Sequence, residues 1–267
     1  MPYRTTFQTL RIFFALSALF TFSCSKQSKD LISDTNSSHS SSSMQVIKHT
    51  LDNGLTVFLS PNHETPRFYA EIITRAGSKH DPKTNTGLAH YLEHLLFKGT
   101  SSFGTVDFEK EKPLLDQIAK LYEERSAEQN ETKREEIYKK INEISIEAST
   151  FAVPNEMDSV YGNMGGKGIN AHTWHEETVY KVDLPANRLI HWAKIESERF
   201  ANPIFRLFHT ELETVYEEKN RSIDNKDRLL NTKVNELLFK VHPYGQQPTL
   251  GTIEHLKNPS IKEIERF

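Results

Sequence analysis

The sequence predicts an α+β fold, a mixed or antiparallel sheet covered by helices, and three observations carry that reading. Short alternating apolar runs lie before residue 75 and again after residue 168. Amphipathic stretches of helical period fill most of the rest. The strands precede the helices and intersperse with them rather than alternating one for one, which is the α+β pattern.

Along the chain, Val46 to Thr50 and Leu55 to Ser60 flank Asp52-Asn53-Gly54, and Asn-Gly between apolar alternations is a strong hairpin signal. Phe68 to Arg75 reads as a third strand, Gly77 to Gly87 as a polar turn region and Leu88 to Phe97 as a helix. Residues 109–148 form a charged block. Leu114, Leu115, Ile118, Leu121 and Tyr122, then Ile137, Tyr138, Ile141, Ile144 and Ala148, recur at helical spacing. This predicts a helical hairpin, with Pro113 in the first turn of one helix and a Thr132–Glu135 capping box opening the other. Its charge runs read as a solvated face. Gly162 to Gly168 is a glycine-rich turn whose spacing matches neither phosphate-binding pattern. Ile169 to Tyr180 alternates enough for one or two strands. Asn187 to Phe200, Thr210 to about Asn220 (with Thr210 and Glu213 as a capping box) and Leu229 to Phe239 read as amphipathic helices.

The chain has 267 residues, 36% hydrophobic and 26% charged, enough for one large or two small domains. A mean hydropathy of −0.59 excludes a multispan membrane protein. A formal charge of −3, from 33 basic and 36 acidic residues, gives no sign of nucleic-acid binding. One cysteine excludes an internal disulfide and a cysteine-cluster metal site, leaving twelve histidines and the carboxylates as metal ligands. Residues 1–23 read as a secretory leader, with Arg4 and Arg11 before the apolar run Ile12 to Phe22. Cys24 directly follows Thr21-Phe22-Ser23, which resembles a bacterial lipobox; the rival reading is an ordinary cleaved leader with a cysteine nearby. Residues 24–44 are serine-rich and nearly devoid of apolar side chains, hence a flexible tether. The expected organisation is leader, tether, and one domain over 45–267. The expected location is an exported lipoprotein, periplasmic or anchored at the outer membrane or cell surface, touching the membrane only through the lipid.

The chemistry resides in GLAHYLEHLLFKGT, where His90, Glu93 and His94 form an HxxEH arrangement. At about 100° per residue, His94 lies about 40° to one side of His90 and Glu93 about 60° to the other, with Leu88, Leu92, Leu95 and Leu96 on the opposite face. One face packs and the other presents a polar triad to a cleft. Two imidazoles one turn apart can both reach a zinc ion, and a glutamate beside them can take a proton from water; this is the zinc-protease helix with the residue order reversed. Random placement yields about 0.05 such motifs in a chain of this composition, so the motif alone is a moderate signal. A catalytic zinc needs a third protein ligand. The downstream run TELETVYEEKN offers two same-face pairs, Glu211 with Glu218 and Glu213 with Glu217, and spacing does not choose between them. His172 and His175 point to opposite faces of a strand and make a poor metal pair.

LDNGLTVFLSPN, RAGSKHDPKTNTGLAHYLEHLLFKGT, GGKGINAHTWHEETVY, ELETVYEEKNRSIDN and HPYGQQPTLGTIEHLKN follow one another in the order of the pitrilysin/insulinase family of zinc peptidases, which includes the mitochondrial processing peptidase. The resemblance covers roughly residues 46–267. It implies one Zn2+ per chain, with His90 and His94 as ligands, Glu93 as general base, Glu218 as third ligand and Glu211 as its support. It places Asn170 and Ala171 on the edge strand that pairs with the substrate backbone, a main-chain mode of peptide binding. The implied activity is metalloendopeptidase cleavage of extended or unstructured peptides.

Two departures shape the expectation. The separation between His94 and Glu218 exceeds the family's usual gap, and a helical insertion at about 109–148 accounts for the excess. Family members also continue into a homologous second half that closes over the substrate, whereas this sequence stops at Phe267. The expected partners are therefore a peptide substrate and a homologous C-terminal half or partner subunit. The alternative is a non-catalytic peptide-binding or partner subunit.

Overall fold

The computed structural model describes residues 45–267, in two compact units divided after Pro61. The leader, Cys24 and the serine-rich tether lie outside the described residues. In the first unit β1 (Ile47–Thr50) pairs antiparallel with β2 (Thr56–Leu59), in the register Thr50 opposite Thr56. Gly54 takes the left-handed conformation that the Asn-Gly signal anticipates.

The second unit holds a three-stranded antiparallel sheet of β3 (Arg67–Thr74), β4 (Lys167–Thr173) and β5 (Thr178–Pro185), in the order β3-β5-β4. Asn170 faces Lys181, Ala171 faces Tyr180 and Thr173 faces Thr178, with an irregularity between Lys167 and Asn170. The outer edge of β4 carries no strand among the described residues.

Around the sheet lie α1 (Leu88–Leu95), α2 (Phe108–Ala127), α3 (Glu131–Ser149), α4 (Glu156–Asn163), α5 (Leu189–Ala201), α6 (Phe208–Ile223) and α7 (Lys226–Leu238), followed by three short helices, α8 (Pro243–Gln246), α9 (Ile253–Leu256) and α10 (Ile261–Arg266). Two cores form. One packs Leu88, Tyr91 and Leu95 of α1 with Ile118 and Tyr122 of α2, Ile141 and Ala148 of α3, and Phe208, Leu212 and Val215 of α6. The other packs Val182 and Leu184 of β5 with Met157 and Tyr161 of α4. No helix among the described residues is long and apolar enough to cross a membrane.

The expected hairpin at 109–148 is present as α2 and α3, and it braces α6: the Tyr122 hydroxyl lies 2.7 Å from His209 Nδ1. Several local expectations are corrected. α3 opens at Asn130, whose side chain accepts from the Lys133 N–H, so Thr132 and Glu135 do not form its capping box. α6 starts at Phe208 rather than Thr210; Leu207 precedes it in the left-handed conformation, and the Tyr91 hydroxyl donates to the Phe208 carbonyl. Tertiary contacts thus set its start, not the Thr210–Glu213 pair. Pro113 lies inside α2, because the helix already begins at Phe108 under an Asp107 cap. The glycine-rich turn is shorter than read, since Gly162 belongs to α4 and Gly168 to β4.

Helix α7 is unusual in its orientation. Leu230, Val234, Leu237 and Leu238 recur along one face and are exposed, whereas Asn235, Glu236 and Phe239 are half-buried. Behind α1, a cavity of about 550 Å³ is lined by Ala89, Leu92, Leu96, Phe108, Phe200 and Phe267. It meets the apolar face of α1, so it is not where the polar triad points.

Candidate metal centre

Helix α1 is held at both ends. At its start the Asp81 carboxylate accepts from the N–H groups of Gly87 (2.7 Å) and Ala89 (2.9 Å), serving as a cap supplied from six residues upstream. Negative charge there also suits the helix dipole. Burial nevertheless pushes the Asp81 carboxyl up to about 7, against the downward pull of those backbone donors. Gly87 sits at φ +90 with its Cα face against Gly251, leaving no room for a side chain. On the apolar side Leu88, Tyr91 and Leu95 enter the core.

The opposite side of α1 carries His90 and Glu93, both buried, and His94, partly buried. Helix α6 runs alongside and presents Glu211 and Glu218, while Glu213 and Glu217 face solvent. The fold thus separates the two acidic pairs that spacing leaves equivalent. His90 Nε2 and His94 Nε2 are 3.2 Å apart, and Glu218 Oε2 lies 3.4 Å from the first and 3.6 Å from the second.

These three distances test the fit of a zinc ion. Bonds of about 2.05 Å at tetrahedral angles place ligand atoms roughly 3.3 Å apart. The observed triangle has that size. Two imidazole nitrogens that face each other at 3.2 Å also require a cation or a proton between them, since two lone pairs repel. Among the described residues, His90, His94 and Glu218 form the one cluster of three such groups able to hold a metal.

The electrostatics agree. Burial works against a charged His94, but hydrogen bonds and charge from Glu211 and Glu218 outweigh it and push the imidazole up to about 9. The same contacts, led by the bonds to His90 and His94, hold Glu218 far below the usual carboxylate range. His94 Nδ1 lies 2.8 Å from Glu211 Oε1, and Lys98 Nζ meets Glu211 Oε2 at 2.5 Å. Glu211 thereby fixes which face of the His94 ring points at Glu218. Burial raises the Glu211 carboxyl, and the bonds from His94 and Lys98 more than reverse that. His90 Nδ1 is buried without a hydrogen-bond partner among the described residues.

Asn170 and Ala171 lie on β4, with Asn170 exposed. Two residues on, the Thr173 hydroxyl donates to Glu93 Oε2 at 2.6 Å. Sequence reasoning missed Lys98, Thr173 and Asp81 as contributors. Lys98 alone left a trace, standing one turn beyond His94. His172 lies near Trp174, and His175 stacks on Tyr244 and contacts Ser78, so neither joins the metal cluster.

Comparisons with known proteins lead to peptidases. Residues 56–112, which contain the HxxEH helix, match the profile of insulinase (peptidase family M16). An uncharacterized zinc protease of Rickettsia felis is 24% identical over 210 residues, covering 78% of this chain and 39% of that protein. A protease from Helicobacter pylori superposes with a TM-score of 0.62 at 21% identity, over 84% of this chain and 42% of that one. The first half of the periplasmic protease PqqL from Escherichia coli superposes with a TM-score of 0.57 at 18% identity, over 83% and 39%. In sequence over residues 56–112, and in fold over most of its length, the chain is similar to insulinase- and pitrilysin-type peptidases. It spans about two-fifths of the length of the curated relatives it matches.

Proposed function

We propose that this chain is the metal-bearing half of a zinc-dependent metalloendopeptidase that cleaves extended or unstructured peptides. The observation that carries the reading is the triangle of His90 Nε2, His94 Nε2 and Glu218 Oε2, sized for zinc, on a helix that also bears Glu93. Zinc held by these three atoms supplies a Lewis acid and lowers the pKa of a coordinated water towards about 7. Glu211 keeps the His94 ring aligned, and Lys98 keeps Glu211 aligned. Glu93 accepts the proton of the attacking water and delivers it to the departing amine nitrogen, so the proton leaves the site with the product. The edge of β4 that carries no strand among the described residues, with Asn170 and Ala171, binds the peptide by main-chain hydrogen bonds, which favours extended substrates and demands little of their sequence. The leader and Cys24 suggest that this chemistry is exported and tethered by lipid, which metabolic labelling with a fatty-acid analogue in wild type and Cys24→Ala tests.

The test of activity is hydrolysis of a quenched, unstructured peptide by the zinc-loaded chain beside Glu93→Gln. The expected result is cleavage by the first and a loss of about 10²–10⁴-fold in the second at equal zinc content. Equal rates in the two proteins refute the mechanism. A second reading is a non-catalytic peptide-binding or partner subunit. Stoichiometric zinc with no cleavage, even after addition of a chain carrying a relative's second half, favours that reading.

A further inference from the structure

We infer that Thr173 is a positioning residue for Glu93: its hydroxyl pins one carboxylate oxygen, leaves the other as the proton acceptor, and ties that carboxylate to the end of the peptide-binding edge. The inference rests on the metallopeptidase reading above and deepens it.

Proton counting carries the argument. Thr173 Oγ1 lies 2.6 Å from Glu93 Oε2 and 3.2 Å from Thr178 Oγ1, and Thr178 Oγ1 lies 2.9 Å from the Ala76 carbonyl oxygen. Each hydroxyl owns one proton. The Ala76 carbonyl only accepts, so the Thr178 proton is committed there. The Thr173 proton then has two acceptors, a carboxylate at 2.6 Å and a neutral hydroxyl at 3.2 Å. The charge-assisted bond is both shorter and stronger, so Thr173 donates to Glu93.

The donor is also rigid. Thr173 and Thr178 are both buried and stand opposite each other in the β4–β5 register. A β-branched side chain on a strand has little χ1 freedom. With Oε2 held this way, Glu93 keeps one oxygen, Oε1, for the incoming proton. Ala171 and Thr173 lie on the same face of β4 because side chains alternate along a strand. A peptide paired along this edge therefore lies beside the residue that holds the base.

The test uses the full chain loaded with zinc, as wild type, Thr173→Val and Thr173→Ser. Valine keeps the shape and the branch but removes the donor. Two probes are titrated by calorimetry: a peptide hydroxamate, whose acidic proton is received by the base carboxylate, and a peptide thiol, which binds metal through sulfur and makes no use of that carboxylate. In Thr173→Val the hydroxamate should bind about 10-fold more weakly or worse, the thiol within about twofold of wild type, at unchanged zinc content. Where the chain turns over peptide, kcat should fall about 10–100-fold at constant KM, and Thr173→Ser should recover most of it. Unchanged hydroxamate affinity overturns the inference. So does an equal loss for both probes, or failure of serine to rescue, since either marks a merely structural role. A wild-type chain that takes up no zinc overturns the metallopeptidase reading and this inference together, and metal analysis detects it before either probe is added.

Discussion

The Arg206–Glu111 pair and the His90–His94–Glu218 cluster both draw ionisable side chains together, and they are completed differently. Arg206 uses its guanidinium in full: it reaches both oxygens of Glu111 and the carbonyls of Lys98, Thr100 and Phe103, and neither side chain of the pair is more than 1% exposed. Every charge there has its opposite and every donor its acceptor. In the second cluster three ligand atoms converge on one point, Glu218 remains 36% exposed, and a ring nitrogen of His90 is orphaned. The first cluster is chemically closed and joins the segment after α1 to α2. The second leaves a gap between its three atoms that a cation or a proton fills. Saturation of hydrogen bonds is thus a better guide to purpose than burial or charge alone.

The sharpest way to break this contrast is to disable the closed pair. Arg206→Met or Glu111→Leu alone leaves an unpaired buried charge and should cost about 3–5 kcal/mol, with the double variant recovering much of it. Urea denaturation of the three proteins checks this, and single variants within about 1 kcal/mol of wild type would deny the pair its structural role. The open cluster should respond through metal instead. Glu218→Gln should weaken zinc binding by about 100-fold or more and Glu211→Gln by about 10–100-fold, as read by chelator competition. If Glu217→Gln were to weaken binding as much as Glu218→Gln, the assignment of the third ligand would fall.

A finer contrast comes from pH in the metal-free chain. His94, raised to about 9 when folded against 6.5 when unfolded, contributes stability that is full below pH 6.5 and lost as pH rises through 9. Glu218, held low, contributes above pH 4.5 and loses that contribution as pH falls further. The stability difference between wild type and His94→Ala, with chelator present, should therefore be larger near pH 6 than near pH 10. A difference that does not change with pH would show that the histidine is not held by those carboxylates. The smallest effect belongs to an exposed pair. Lys112→Ala, which removes the contact with Asp116 on α2, should change stability by less than about 0.5 kcal/mol.

The triad on α1 was legible because helical geometry alone gathers His90, Glu93 and His94 opposite four leucines. Spacing did not choose the candidate third ligand: Glu211 with Glu218 and Glu213 with Glu217 are equivalent in it, and the choice of Glu218 came from the family resemblance; in the fold, the packing of Leu212 and Val215 into the core turns the first pair towards α1. The α2–α3 hairpin declared itself through long periodic stretches. Helix α4 did not, because its eight residues carry few apolar positions, begin at a left-handed Asn155 and run into the glycine-rich turn. Thr173 and Asp81 were invisible for a different reason. Each acts through a single hydrogen bond or cap to an element distant in sequence or across a turn, and no periodicity encodes such a contact.

The outward leucines of α7 have a practical corollary in colloid chemistry. A strip of aliphatic side chains on a water-facing helix makes the purified chain behave in part as a surfactant, adsorbing to plastic and to itself as concentration rises. Loss of soluble protein then mimics loss of turnover. Dilute solutions, and a neutral additive that wets the strip, separate a chain that does not catalyse from one that has left solution.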